Sequence, residues 1–172
     1  SFQAQAANGA YGSFSLATDG SWSYVASNSN VAIQALGAGD TLTETFTVTS
    51  ADGTTSSIVV TINGTNDAAV ISAGTGSVTE DVDVVGGNIA TGGTLTISDA
   101  DSGEASFTPQ STVGTYGSFT LATNGAWTYT ASNTNPAIQA LGTGDTLTET
   151  FTVTSADGTT SSVVVTINGT ND

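Results

Sequence analysis

Fifteen carboxylates, eleven Asp and four Glu, are the side chains that carry charge at neutral pH in this 172-residue sequence. No Lys, Arg, His, Cys or Met accompanies them, and the formal net charge is −15. A set of this kind could do two things: act as acid and base in pairs, or hold a hard cation through oxygen. Much else is excluded. Without His or Cys there is no Ser-His-Asp or Cys-His nucleophile and no zinc or haem site of the usual ligands. Without Lys or Arg there is no Schiff base, no phosphate clamp and no cationic surface for nucleic acid or anionic lipid. Nothing in the spacing sets two carboxylates up as an acid and base pair, so the sequence predicts a protein that is not an enzyme.

The same arithmetic predicts a metal. The carboxylates have no basic side chain to pair with, and several cluster: Asn66 with Asp67; Glu80 with Asp81 and Asp83; Asp99 with Asp101 and Glu104. Two carboxylates about 5 Å apart repel by roughly 3 kcal/mol at an effective dielectric near 20, so a compact acidic pocket calls for a cation. Flexible oxygen-only ligands suit the six to eight oxygens of Ca²⁺ better than the strict octahedron of Mg²⁺. In DADSG (99–103), Asp99 and Asp101 lie two apart at a strand end and could turn to one ion; a solvated Asx turn is the alternative. Asp52 and Asp157 sit in ADG triplets and read first as turn residues. Glu44 and Glu149 fall in phase with Leu42 and Phe46, and with Leu147 and Phe151. Since burying an unpaired Glu costs too much, the expectation is a place at the mouth of the fold or a strand kink.

The elements that position these acids come from a repeat. Residues 1–67 align without a gap to 106–172 at an offset of 105, with 15 differences. The expected organisation is the C-terminal two thirds of a first repeat (1–67) and a complete second repeat (68–172) of about 105 residues. Asp19-Gly20 and Asn124-Gly125 each divide two alternating runs, as tight hairpins require. A second hairpin turns at Asp52-Gly53, with Leu42, Phe46 and Val48 alternating with Thr. NPAIQALG (135–142) predicts one helical turn capped by Asn135, with Pro136 first and Gly142 as the stop. Segments 77–84, 93–99 and 105–111 add about three strands, for roughly seven in all. The fold class predicted is all-β, tandem immunoglobulin-like β-sandwiches, with a small barrel as the alternative. Trp22, Tyr11 and Tyr24 are expected in the core.

DTLTETFTVTSADGTTSSIVVTINGTNDAAVIS (40–72), followed by SVTED and LTISDADSG, resembles the VCBS-type repeat of giant bacterial surface proteins, especially RTX-type biofilm adhesins. It is similar, more distantly, to cadherin: an AxDG turn, an Asn-Asp linker, then Asp-x-Asp in the next domain. The resemblance implies a cadherin-like stalk of tandem sandwiches stiffened by Ca²⁺ at inter-repeat junctions, exported by a type I system to the bacterial cell surface or beyond. Carried over, it puts Asn66 and Asp67 in the linker, makes Asp99 and Asp101 the Asp-x-Asp pair, and makes Asp157 the AxD ligand. Glu80 matches the acidic residue of the first strand, serving a following junction with Asn171 and Asp172.

Three functions are weighed on this basis. The first is a structural extender in an adhesin that supports cell adhesion and biofilm. The second is a self-associating filament or matrix subunit, completed by strand exchange between chains. The third is glycan or protein recognition through Tyr11, Tyr24 or Trp22. The partners expected are neighbouring repeats of the same chain, with other copies of it in the second reading, and neither nucleic acid nor a membrane.

Overall fold

The computed structural model describes residues 1–171. Strands make up 51% of it and helix 5%. The chain forms two compact units, Ser1–Asp67 with Ala100–Ser102, and Ala68–Asp99 with the residues from Gly103 onward.

In the first unit β1 (Gln5–Asn8), β2 (Gly12–Leu16) and β3 (Trp22–Ala26) make an antiparallel meander. The β2–β3 turn is Asp19-Gly20: Gly20 takes φ +92°, and Asp19 Oδ1 accepts from the Ser21 N–H at 2.9 Å. A single turn, α1 (Val31–Gln34), is capped by Asn30, which accepts from the Ala32 N–H at 2.9 Å. The hairpin of β4 (Thr41–Thr49) and β5 (Thr55–Asn63) follows, turning where Gly53 takes φ +87°. Thr alternates outward while Phe46 and Val48 join Phe14 and Leu16 in a small core, with the Phe14 and Phe46 rings stacked at 4.6 Å.

The second unit repeats this plan and completes it. Its elements are β6 (Val70–Ile71), β7 (Gly74–Thr79), β8 (Asn88–Thr94), β9 (Ile97–Ser98), β10 (Gln110–Val113), β11 (Gly117–Leu121), β12 (Ala126–Ser132), α2 (Pro136–Gln139), β13 (Thr146–Thr154) and β14 (Thr160–Asn168). One sheet has the order β10-β11-β12-β8 and the other β13-β14-β7, with β6 and β9 paired apart from both. All pairings are antiparallel except β7 on β14. The two inner faces share one core: Ile89, Phe119, Trp127 and Tyr129 from one sheet meet Phe151, Val153, Val163, Val165 and Ile167 from the other. The stacked pair recurs as Phe119 on Phe151 at 4.7 Å. Two separate sheets over a common core make a sandwich and not a closed barrel.

Three boundaries differ from the sequence expectation. The strand expected over 77–84 ends at Thr79, because Asp81 and Asp83 turn the chain with φ of +59° and +53°. The one expected over 93–99 divides into the end of β8 and the short β9. The one expected over 105–111 begins at Gln110, after Pro109, whose ring nitrogen cannot donate to a ladder. Trp22 is also corrected: it is half exposed, whereas Trp127 is buried.

Candidate metal centre and carboxylate sites

Asp67 is exposed at the end of the first unit, and its N–H donates to Asp101 Oδ2 at 2.7 Å; Asp101 is buried and Asn66 Nδ2 donates to the Asp67 carbonyl. Residues 100–102 are held there by a further bond, from the Ser102 N–H to the Ala35 carbonyl at 3.0 Å. Asp67 and Asp101 are thus brought together.

In the second unit Asp157 occupies the turn before β14. Its Oδ1 accepts from the Ser155 hydroxyl and the Thr159 N–H, and its Oδ2 from the Thr159 hydroxyl at 2.7 Å and the Ala69 N–H at 3.0 Å. The Ser155 hydroxyl first, then the Ala69 amide and the Thr159 hydroxyl, hold this carboxyl well below the usual carboxylate range. Asp52 makes the same turn in the first unit with Ser50 and Thr54. Asp99 directly follows β9, whose Ser98 pairs with Val70 of β6. Asp157 is thus tied to Ala69, the second residue of the second unit.

Glu80 lies at the far end of β14. Its N–H donates to the Asn168 carbonyl at 3.0 Å and its Oε1 accepts from the Thr170 N–H at 2.6 Å. Nine residues of strand, about 30 Å, separate this end from the Asp157 turn, so Glu80 and Asp157 of one unit cannot share an ion. Asn171 is exposed, and Asp172 lies outside the described residues. The expected trio of Glu80, Asp81 and Asp83 separates: Asp81 pairs with Asn133, accepting from its Nδ2 at 2.7 Å and donating its N–H to Oδ1. Among the described residues no three or more acidic side chains gather closely enough to hold a metal. The donors nonetheless fit a hard cation. They are all oxygen, and Glu80, fully buried, keeps Oε2 without a hydrogen-bond partner among the described residues.

Sequence reasoning misplaced Glu44 and Glu149. β4 and β13 each run nine residues without a kink, and both glutamates are buried on the core face. They are not unpaired. Glu149 accepts from the Tyr129 hydroxyl, from the amides of Thr115 and Tyr116 in the loop between β10 and β11, and from that of Gly117 at the start of β11, the last two at 3.1 Å. Glu44 accepts from the Tyr24 hydroxyl and the Tyr11 N–H. Burial opposes ionisation of Glu44, but the Tyr24 hydroxyl and the amides of Tyr11, Ala10 and Gly12 together hold its carboxyl below its ordinary value. Burial and the adjoining carboxylate push Tyr24 up to about 12, and Tyr129 is raised further for the same reasons. The signal was present as glycines at both ends of that loop: a Cβ on Gly114 would stand 2.3 Å from Glu149 Oε1. Tyr129 is fully buried, as a core residue and not a recognition surface.

Paired sandwiches of this plan, with acids at the strand ends, define a class of tandem β-sandwich repeats. The family model of the bacterial cadherin-like domain matches residues 66–169, and the chain belongs to that family. Domains of this family are typically structural or adhesive, and they occur in surface and extracellular proteins. A comparison with curated proteins returns no match. No helix among the described residues is long and apolar enough to cross a membrane.

Proposed function

We propose that this chain is an extender segment in the stalk of a secreted bacterial adhesin, supporting cell adhesion and biofilm, with Ca²⁺ held by the acids at the ends of its units. The observation that carries the reading is the buried Glu80 carboxylate, one oxygen of which has no partner among the described residues, in a chain with no cationic side chain. The near-identity of the two copies supports a spacer, since a spacer needs no individual site. The likeness of TINGTND and of TED followed by DADSG to VCBS-type repeats supports the finer assignment to RTX-type adhesins and type I export. In this reading Glu80 serves one end of a unit, and Asn66, Asp67, Asp99, Asp101 and Asp157 serve the ends nearest residue 68.

The test separates specific binding from screening. Calcium sites of extracellular modules have dissociation constants of about 0.1–1 mM, and a ligand at 100 times its dissociation constant stabilises by about 2.7 kcal/mol. Melting is measured in CaCl₂, MgCl₂ and NaCl at matched ionic strength, with calorimetric titration of Ca²⁺. The expected result is a higher Tm in CaCl₂ alone, lost with chelator and reduced in Glu80→Gln and in Asp99→Asn with Asp101→Asn. Equal Tm in all three salts and no heat of calcium binding would overturn the calcium reading.

A further inference from the structure

Glu80 is fully buried, and its Oε2 has no hydrogen-bond partner among the described residues. Gln139, the last residue of α2, leaves its buried Nε2 in the same condition. The two side chains belong to one wall of the second unit. The backbone after α2 packs on Gly169, where an added Cβ would stand 2.5 Å from the Leu141 Cβ, and the next residue, Thr170, gives its N–H to Glu80 Oε1 at 2.6 Å. The repeat places the glutamine side chain on the same wall. Its counterpart Gln34 lines one cavity with Asn28, Asn63 and Thr65. The residues matching those three, Asn133, Asn168 and Thr170, hold Asp81, Val78 and Glu80. Gln139 therefore stands in the wall on which the Glu80 segment is seated.

A carboxylate oxygen without a donor and an amide nitrogen without an acceptor do not bond to each other here, and each calls for a partner. We propose that one calcium ion serves both, bound by Glu80 Oε2 and by the side-chain oxygen of Gln139, with the amide turned end for end. The inference rests on the calcium reading above and adds to it a neutral ligand. The two ends of an amide are nearly equal in size, so the turn needs no extra space and brings oxygen to where the nitrogen stands. Amide oxygens are ordinary ligands of Ca²⁺. Among the described residues no three acidic side chains gather, so the oxygens beside Glu80 are neutral ones, and Gln139 supplies one of them. A water molecule would also bridge the pair, with a hydrogen to the carboxylate and its oxygen to the amide. It would leave the charge of Glu80 uncompensated in a chain without Lys, Arg or His.

Calcium is titrated into the whole chain and followed by calorimetry and by the side-chain amide signals in nuclear magnetic resonance spectra, that of Gln139 being identified by its loss in Gln139→Met. The Gln139 signal is expected to move with calcium saturation and to stay in place in NaCl of matched ionic strength. Gln139→Glu adds a charge and tightens by at least about tenfold the site that Glu80→Gln removes, and Gln139→Met weakens it by at least about fivefold. Glu80→Gln combined with Gln139→Glu regains binding that Glu80→Gln alone loses, because the charge has only moved across one ion. In chelator Gln139→Met melts no lower than the parent chain, since it removes an amide that has no partner; a structural hydrogen bond would give a lower Tm. Calcium binding with an unmoved Gln139 signal, no tightening in Gln139→Glu and no regain in the double variant overturns this inference, leaves the calcium reading standing and assigns water to the gap. No calcium binding by the parent chain overturns both.

Discussion

A glutamate on the core face of a strand is tolerated in both units because a loop closes over it. Glu149 collects three backbone amides and a tyrosine hydroxyl, enough donors to keep a buried carboxylate hydrogen-bonded. Replacing Glu149 with Ala leaves those donors buried and unpaired, and the second unit should lose about 2–3 kcal/mol by urea unfolding. Glu149→Gln should also lose stability, since its amide nitrogen faces donors. The alkaline limb tests the same contact. No Lys, Arg or Cys titrates there, so unfolding above pH 10 reports the tyrosines. A tyrosine whose folded pKa lies above its unfolded value near 10 contributes stability fully below pH 10 and loses it as pH rises through the folded value. Tyr24, at about 12, places that loss for the first unit between pH 10 and 12. Tyrosinate absorbance should rise together with loss of near-ultraviolet circular dichroism, and Tyr24→Phe should remove that part of the pH dependence. At the acid side the sign reverses for Glu44: its lowered pKa contributes stability above the ordinary carboxylate range, lost as pH falls through the folded value.

The two helical turns form a natural comparison at the scale of elements. α2 opens on Pro136, while α1 opens on the exposed Val31 in the same backbone, with Asn30 at φ −64° and ψ 125° against −62° and 123° for Asn135. Proline at this first position loses no intrahelical bond and restricts the unfolded chain. Val31→Pro should therefore stabilise the first unit by about 0.4–1 kcal/mol, read as a rise in its melting temperature. Turns and caps of this kind were legible because Gly20, Gly53 and Asn135 meet local demands on φ or on an orphan amide, and the β4–β5 hairpin because Thr alternates with apolar residues. The ends of β7 were not legible, since no pattern assigns left-handed φ to Asp81 and Asp83 within an alternating run. Nor was the burial of Glu44: alternation tells which face a side chain joins, but not that a loop 33 residues away will cover it. The exposure of Trp22 depends on which strands border β3 among the described residues, which the phase of a single run does not report. Of the candidate acids, the Asp157 turn was read from its triplet, while the distance between Asp157 and Glu80 follows from the length of β14.

A chain with fifteen carboxylates and no cationic side chain repels itself, and salt should raise its melting temperature even without specific binding, most steeply at low ionic strength. Trypsin should leave it intact when folded and also in urea, because no Lys or Arg is present to be cut. Within the second unit the backbone arrives at Ala69, tied to the turn that precedes β14, and departs past Asn168 at the opposite end. β7 and β14 run side by side in the same direction through six paired residues, one near the arriving end and the other at the departing end. Traction on the two ends would slide these strands along each other, so that their hydrogen bonds share the load at once instead of peeling apart in turn. A repeat built this way is suited to bear tension along its length, and single-molecule pulling from residues 69 and 171 should need more force than pulling β13 from β14 at Thr146 and Asn168, where the pair unzips.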